Sequence, residues 1–258
     1  MPNFTSLLYE VDGHICTITL NRPEKKNALS QALTNEIIFA LETARDDSSV
    51  RVIVLTGSGG VFCSGADLGG MADSQKSDIP HRGSFPELLI AQRTCGKPII
   101  AKVRKYALAG GLGLMMGCQF ALAEDTAQFS TPEIDRGIWP MMIMANIFRH
   151  VPRRKGLEMC LFGERIDAKQ AENWGVINKA VPADQLDAEV ASWAQRLAEK
   201  SPIAMKLGLN AFYKQEAMEF DAAVKYLSGE LAKVINTEDA REGIAAFLQK
   251  RKPNFKGK

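Results

Sequence analysis

Short β-rich runs alternate with helical patterns between residues 6 and 123, and this alternation limits the possible folds more than any other feature of the sequence. Residues 7–11 and 14–20 flank an Asp12-Gly13 pair, which is a strong signal for a β-hairpin turn. From Pro182 onward the pattern is almost wholly helical. The two patterns together predict an α/β core with a helical C-terminal cap or oligomerisation region.

Apolar runs and glycines mark further elements within the alternating part. Either Asn27 or Ser30 is predicted to cap a helix that ends at Arg45. The polar stretch at residues 71–82 lacks apolar periodicity, and we expect a mobile loop or a loosely held helix over the site. Strands are predicted at residues 52–55 and 98–103 and near Ala121, and another helix at residues 110–118.

The composition is that of an ordinary soluble globular protein and excludes several classes. The 258 residues suit one packed core with a small appendage, and a net charge of +2 argues against an electrostatic reader of nucleic acid or membrane. Neither a membrane-spanning helix nor a signal peptide is indicated. Five scattered cysteines without a C-x-x-C pair predict free, buried thiols in a reduced cytoplasmic interior.

The motifs of several common catalytic and nucleotide-binding sites are missing from the sequence. Phe62 stands where a G-x-G-x-x-G pattern needs glycine, no P-loop pattern occurs, and Ser64 lies outside any G-x-S-x-G pattern. The three histidines, His14, His81 and His150, are isolated, which argues against a zinc site. We therefore expect backbone groups, carboxylates and a bound substrate to carry the chemistry.

Two glycine-containing segments, residues 61–68 and 106–114, each follow a strand. Small residues let the backbone of the first approach a ligand closely, and glycines begin a helix in the second. Unpaired amide N–H groups from two such loops form an oxyanion hole when they converge. The alternative is that both segments are tight turns with close helix–strand packing.

Five motifs resemble those of the enoyl-CoA hydratase/isomerase (crotonase) family. They occur in the family's order and with similar spacing over nearly the whole chain. Each motif is weak alone, but five in register are highly specific. The motifs are Asn21-Arg22-Pro23 with Asn27-Ala28-Leu29, residues 62–68, residues 109–113, Phe129-Ser130-Thr131-Pro132-Glu133, and residues 240–247 with Lys250-Arg251.

This resemblance implies a crotonase-like spiral of ββα turns over residues 1–195 and a helical C-terminal trimerisation region over residues 196–258. It also implies a homotrimer or a dimer of trimers, an acyl-CoA thioester substrate, and no metal or redox cofactor. The N–H groups of Ala66 and Gly110 match the family's oxyanion hole, which holds the thioester oxygen as it becomes an enolate. Glu133 matches the acid/base carboxylate, the alternative being a helix-start or surface glutamate.

Departures from the family pattern bear on the reaction. A family hydratase holds one water between two glutamates, but Gly113 stands at the position of the first. Family hydratases usually have a P-G-x-G-G run where residues 140–144 here read Pro-Met-Met-Ile-Met. Met141 thus replaces the glycine whose amide helps to hold that water, and bulky thioethers crowd the region. We therefore favour a single-glutamate 3,2-trans-enoyl-CoA isomerase. Its acyl pocket is expected to include Gly113, Trp139, Met141 and Met142, with Gly113 giving the acyl chain room, although the Met cluster is equally explained as core filler.

Two other functions remain open. The first is an enoyl-CoA hydratase with a substituted carboxylate, for which Asp135 is a candidate, although a surface position or a salt bridge with Arg136 explains Asp135 as well. The second is a crotonase-like protein that binds acyl-CoA without catalysis, as the loss of a glutamate at Gly113 suggests.

The resemblance also implies residues that bind the coenzyme A part of the substrate. Phe247 and Lys250 match residues that reach the acyl-CoA from a neighbouring subunit, although a solvated helix end explains Lys250 equally well. Gly69 stands where the family often has a phosphate-binding lysine, and the Lys25-Lys26 pair is a candidate substitute. The expected set is Ser64, Asp67, Leu68, Lys26, Phe247 and Lys250.

Overall fold

A computed structural model describes residues 3–67, 69 and 79–258 of the chain. The strands are β1 (Leu7–Asp12), β2 (Ile15–Leu20), β3 (Val52–Gly57), β4 (Ile99–Val103), β5 (Tyr106–Leu108), β6 (Phe120–Glu124), β7 (Gln128–Ser130), β8 (Ile166–Asp167) and β9 (Lys179–Val181). The helices are α1 (Gln31–Asp46), α2 (Phe85–Thr94), α3 (Gly110–Met116), α4 (Met141–His150), α5 (Arg153–Phe162), α6 (Ala168–Asn173), α7 (Leu186–Ala198), α8 (Pro202–Gln215), α9 (Phe220–Ile235) and α10 (Glu238–Leu248).

The strands form two sheets that are mainly parallel. The larger sheet has the order β1-β2-β3-β4-β6-β9, and among the described strands its only antiparallel pair is the β1–β2 hairpin. The smaller sheet has the order β5-β7-β8. Each passage from β4 to β5 and from β6 to β7 moves the chain from the larger sheet to the smaller one, so the two sheets wind together as a spiral.

Side chains of the larger sheet alternate between two cores, as the period of a strand requires. In β3, Ile53 and Leu55 belong to the main core, which also contains the buried faces of α1 and α3. Val52 and Val54 point to the opposite face, where they pack against α7. Both faces of β3 are therefore covered, which explains why the sequence of this strand is an unbroken apolar run.

The structure confirms the elements that local patterns predict. The hairpin forms around Asp12-Gly13, and the strands and helices of the first half lie within a few residues of their predicted bounds. Ser30 caps α1, since its hydroxyl accepts a hydrogen bond from Leu33 N at 3.2 Å. Asn27 has a different role: its buried side chain donates to Ser58 O at 3.0 Å and Val61 O at 2.7 Å. Residues 71–78 of the expected loop or loose helix lie outside the described residues.

The predicted division at residue 195 differs from the structure, because it falls inside α7. That helix packs on the larger sheet through Leu186, Val190, Ala194 and Ala198, so it belongs to the core. The separate helical region begins with α8, which opens at Pro202 after a Ser201 cap. Helical periodicity alone does not distinguish a helix that covers a sheet from one that extends beyond it.

Helices α8 to α10 leave a large apolar surface exposed in the single chain. In α9 the exposed side chains Phe220, Val224, Leu227, Leu231 and Ile235 recur every three or four residues, so they share one helix face. None of the described helices is both long enough and apolar enough to span a lipid bilayer.

Candidate active site

A cavity of about 1380 Å³ opens where the two sheets meet α1 and α4. Its walls come from the start of α1, residues 64–67, the starts of α2 and α3, and the segment from residue 130 to 143. Ser64, Ala66, Asp67, Gly110 and Glu133 all line it, so the fold brings together most residues that the sequence selects.

Ala66 and Gly110 both line this cavity and lie close together. Leu29 fixes the first loop from behind, because Leu29 N donates to Gly65 O at 2.8 Å and Leu29 O accepts from Asp67 N at 3.0 Å. Ala66 N lies 3.7 Å from the point that a Cβ on Gly110 would occupy. Neither Ala66 N nor Gly110 N donates a hydrogen bond within the described part of the chain, so both are available to one acceptor.

The close approach of the two loops depends on backbone that carries no large side chain. Gly65 has a φ of +106°, and a Cβ there would lie 2.8 Å from Ala109 Cβ and 3.0 Å from Leu108 O. Ala109, which precedes the amide of Gly110, has a φ of 49°. A positive φ is costly for alanine, and such strain persists where the surrounding structure enforces it.

Glu133 presents its carboxylate to the same cavity. The residue follows Pro132 at the start of a 3-10 turn, and its carbonyl accepts from Arg136 N at 3.0 Å and from Ile138 N at 3.1 Å. Its Oε2 atom is buried and has no hydrogen-bond partner among the described residues. Burial raises the pKa of this carboxyl above its ordinary value, while a hydrogen bond from its own backbone amide and the charge of nearby Arg136 act in the opposite direction.

Gly113 is not part of the cavity wall, although the sequence predicts it in the acyl pocket. It is buried and does not line the cavity, and the space beside its Cα is filled by Ile143 of α4. A Cβ at position 113 would lie 2.1 Å from Ile143 Cγ2 and 3.2 Å from Phe85 Cζ. The missing side chain therefore admits Ile143 and not an acyl chain. The expectation that Gly113 widens the acyl pocket is corrected by this packing.

Other expected acyl-pocket residues do line the cavity. Met141 and Met142 are 61% and 47% exposed, so they are wall residues and not core filler. Trp139 lies beside them and donates from Nε1 to Met144 Sδ at 3.4 Å. Asp135 also lines the cavity but is exposed. Trp139, Met141 and Met142 therefore give the cavity an apolar stretch of wall, beside which the charged residues Asp135 and Arg136 also line it.

The expected coenzyme A residues are divided between the cavity and the surface. Asp67 lines the cavity but forms an ion pair with Arg22, and Leu68 lies outside the described residues. Lys26, Phe247 and Lys250 are exposed and do not line the cavity of their own chain, with Phe247 81% exposed.

Sequence reasoning missed roles for two residues. Arg22 stood in a recognised motif without an assigned role, and its pairing with Asp67 joins positions 45 residues apart. The signal available for Ile143 was its place in residues 140–144, where glycines of the family pattern are replaced by larger residues.

The amide pair and the buried carboxylate form an arrangement that can polarise a carbonyl oxygen and supply an acid/base group beside it. The sequence profile described as "Enoyl-CoA hydratase/isomerase" matches residues 10–258. The chain belongs to this family of acyl-CoA-processing enzymes, and it has the crotonase fold.

Named relatives cover almost the whole chain. "Probable enoyl-CoA hydratase echA8" of Mycobacterium tuberculosis is 35% identical, with 98% of each chain covered. The "2,3-dehydroadipyl-CoA hydratase" of Escherichia coli is 33% identical and covers 98% of this chain and 100% of its own. The crystal structure of human enoyl coenzyme A hydratase domain-containing protein 3 is 30% identical, with a TM-score of 0.90 and coverage of 97% and 100%.

The packing of Gly113 against Ile143 predicts a coupled pair of substitutions. Gly113→Ala should lower the free energy of unfolding by about 1–3 kcal/mol, because the new methyl group collides with Ile143 Cγ2. Ile143→Ala alone should lower it by about 2–5 kcal/mol by leaving a void. The double variant should lose clearly less than the sum, as urea denaturation of the three variants would show.

Gly208→Ala is the matched control, since a Cβ there meets nothing within 4 Å and α8 should gain about 0.4–1 kcal/mol. Strict additivity of the two changes at 113 and 143 would contradict the packing described.

The buried carboxylate of Glu133 predicts a pH-dependent stability difference. Because its pKa is raised in the folded state, its protonation stabilises the fold below the unfolded pKa, and this contribution is lost as pH rises through the folded pKa. Glutamine does not ionise, so the Glu133→Gln variant does not lose stability in this way as pH rises. The free energy of unfolding of the variant minus that of wild type should therefore increase between pH 4 and pH 8, as measured in urea.

Asp135→Asn, which removes an exposed carboxylate two residues away, serves as the control. A difference for Glu133→Gln that falls as pH rises would show that the carboxylate is stabilised by a partner and not penalised by burial.

Proposed function

We propose that this protein is a 3,2-trans-enoyl-CoA isomerase that works with one carboxylate, Glu133. The observation that carries the proposal is the unpaired, buried Glu133 Oε2 in a cavity where position 113 supplies no second carboxylate and Ile143 fills that space. A single base that takes and returns a proton suffices for moving a double bond, whereas holding a water for hydration calls for a second anchoring group.

In the proposed reaction, Ala66 N and Gly110 N donate hydrogen bonds to the thioester oxygen. Glu133 removes a proton from C2, the electron pair of that C–H bond forms the C1–C2 double bond of a dienolate, and the negative charge moves onto the thioester oxygen. The dienolate then takes the same proton at C4 from Glu133, which leaves the double bond between C2 and C3 and restores the carboxylate. A raised pKa of Glu133 suits both transfers, because it makes the carboxylate a stronger base at neutral pH.

The apolar wall supports isomerisation because the dienolate intermediate must be kept from water. Met141, Met142 and Trp139 line the cavity on the side of Glu133, and Ile143 closes it near Gly113. A dry site also strengthens the two amide hydrogen bonds to the enolate oxygen. The chemistry needs no cofactor other than the coenzyme A of the substrate, since the amides and the carboxylate supply every group.

We assign the coenzyme A part of the substrate to Ser64, Asp67, Leu68 and Lys26, near the amide of Ala66. Phe247 and Lys250 belong to the proposed site only if a second copy of the chain supplies them. Their exposure, together with the unpartnered apolar face of α9, supports assembly as a trimer or a dimer of trimers.

The second candidate is an enoyl-CoA hydratase. The relatives named above carry hydratase names, and Asp135 adds a carboxylate to the cavity wall. A hydratase of this kind would use Asp135 in place of the missing glutamate at position 113. A third outcome, binding without catalysis, corresponds to a chain that retains acyl-CoA but turns over neither substrate.

Product analysis in deuterated water separates these functions. Pure protein is incubated separately with a 3-enoyl-CoA and a 2-enoyl-CoA, and the products are identified by NMR. Movement of the double bond from C3–C4 to C2–C3 without a hydroxyl group, whether or not deuterium enters at C2 or C4, supports the isomerase, whereas a 3-hydroxyacyl product supports the hydratase. Unchanged substrates, together with measurable binding, would show a non-catalytic protein.

Glu133→Gln tests the proposed acid/base. The substitution keeps the size of the side chain but removes its ability to carry a proton, so turnover of the 3-enoyl thioester should fall by about 10²–10⁴-fold while affinity stays nearly constant. Asp135→Asn should retain most of the isomerase activity. A silent Glu133→Gln, or an equal loss in Asp135→Asn, would remove the single-glutamate mechanism.

Lys250→Ala tests the contribution of the basic C-terminal segment. If Lys250 contacts a coenzyme A phosphate, affinity should fall about tenfold, as for loss of one charge-assisted hydrogen bond of about 1.5 kcal/mol. The loss should shrink with added salt and should be small for a dephospho-analogue, as calorimetric titration would measure. Equal losses for both ligands would contradict a phosphate contact.

A further inference from the structure

The ion pair between Arg22 and Asp67 differs from the others in the described part of the chain. Its side chains are only 11% and 9% exposed, and Arg22 Nη2 lies 2.8 Å from Asp67 Oδ2. In each of the other ion pairs that the structure records, at least one side chain is more than a quarter exposed. Exposed ion pairs contribute little, whereas a nearly buried one fixes its partners firmly.

Arg22 connects the two segments that orient the amide of Ala66. Its Nη1 donates to Ala28 O at 2.6 Å while its Nη2 holds Asp67. Ala28 precedes Leu29, and Asp67 N itself donates to Leu29 O, so both contacts of Arg22 lie at the hydrogen bonds that join Leu29 to the loop around Ala66. The guanidinium of Arg22 therefore binds both segments that hold the loop carrying Ala66 N. We call these two contacts, to Ala28 O and to Asp67, the clamp.

The backbone of Arg22 is itself held in place. Arg22 N donates to Asn27 Oδ1 at 2.9 Å, and the amide of Asn27 donates to Ser58 O and Val61 O. Val61 begins the segment that leads to Ala66. The side chain of Asn27 therefore links the backbone of Arg22 to the segment that Arg22 also holds through Asp67.

We propose that Arg22 is a positioning residue, which acts through Asp67 to hold the Ala66 amide where the thioester oxygen becomes an enolate. The inference rests on the oxyanion role of Ala66 in the proposed function, but it is independent of whether the complete reaction is isomerisation or hydration. Displacement of a catalytic group by about 1 Å costs up to ~10²-fold in rate, so a loosened clamp should have a measurable effect.

A purely electrostatic role predicts different behaviour. Asp67 lines the cavity, so its negative charge would oppose a developing enolate, and Arg22 would serve to neutralise it. In that case Asp67→Asn should favour the enolate, because it leaves the positive charge of Arg22 uncompensated. If the pair positions the amide, Asp67→Asn should disfavour the enolate, as Arg22→Met does.

The probe is acetoacetyl-CoA, whose enolate absorbs in the near ultraviolet and forms without any later chemical step. Spectrophotometric pH titration of the bound ligand gives the pKa of its C2 position, which measures how well the oxyanion hole holds the enolate. Arg22→Met and Asp67→Asn should each raise this pKa by about 1–2 units, equivalent to ~10–100-fold. For Arg22→Met, whose arginine is not among the assigned coenzyme A residues, affinity for coenzyme A itself should change less than twofold.

Arg22→Lys and a control variant complete the experiment. Lysine retains the charge but cannot reach Ala28 O and Asp67 together in the planar, two-branched geometry of arginine, so it should behave like Arg22→Met. Arg45→Met removes the arginine of an exposed ion pair and should leave the bound pKa unchanged. Urea denaturation of every variant establishes that each is folded at the assay temperature.

Several results would overturn the proposal. A lowered pKa in Asp67→Asn, or full rescue by Arg22→Lys, would assign the pair an electrostatic role. Unchanged pKa values in all three variants would make it purely structural. If wild-type protein bound acetoacetyl-CoA without shifting the pKa of the ligand, both the oxyanion role of Ala66 and the positioning role of Arg22 would be rejected. If wild-type protein shifted that pKa but formed hydratase products, only the isomerase function would be rejected.

Discussion

The direct contact between residues 63–66 and residues 107–111 is the constraint on which the rest of the site depends. Cys63 N donates to Tyr106 O at 3.2 Å, and Cys63 O accepts from Leu108 N at 3.1 Å. These two hydrogen bonds join the segment that follows β3 of the larger sheet to β5 of the smaller sheet. A side chain at Gly111 would collide with Cys63 O at 2.6 Å. Because the two backbones are in direct contact, the amides of Ala66 and Gly110, which follow different strands, come close together in the cavity.

The packing around Gly113 shows how two departures from a family pattern become one structural change. A side chain is lost on α3 and a larger one, Ile143, is present on α4, and the second occupies the volume beside the first. Packing at the density of a protein interior does not permit either change alone without a void or a collision. The local volume is thereby conserved, while a polar group able to hold water is exchanged for an apolar one.

Local patterns predicted much of the fold and part of the site. The Asp12-Gly13 turn, the Ser30 cap and the apolar run of β3 are encoded by adjacent residues, and the structure has each of them. The position of Gly113, the pairing of Arg22 with Asp67 and the packing of α7 on the sheet depend on residues far apart in the chain. No periodicity reports such contacts, so only the folded backbone reveals them.

The environment of Glu133 connects stability with reactivity. A buried carboxylate oxygen without a partner destabilises the folded protein, and most buried acids avoid this by pairing with a base or with several amides. The Oε2 atom of Glu133 has no such partner among the described residues, whereas its carbonyl, at the start of a 3-10 turn, accepts from Arg136 N and Ile138 N. The turn fixes the backbone while leaving this one carboxylate oxygen unsatisfied. A carboxylate held in this way is a stronger base than a fully paired one, so the unpartnered oxygen that weakens the fold also suits the proton transfer proposed for Glu133.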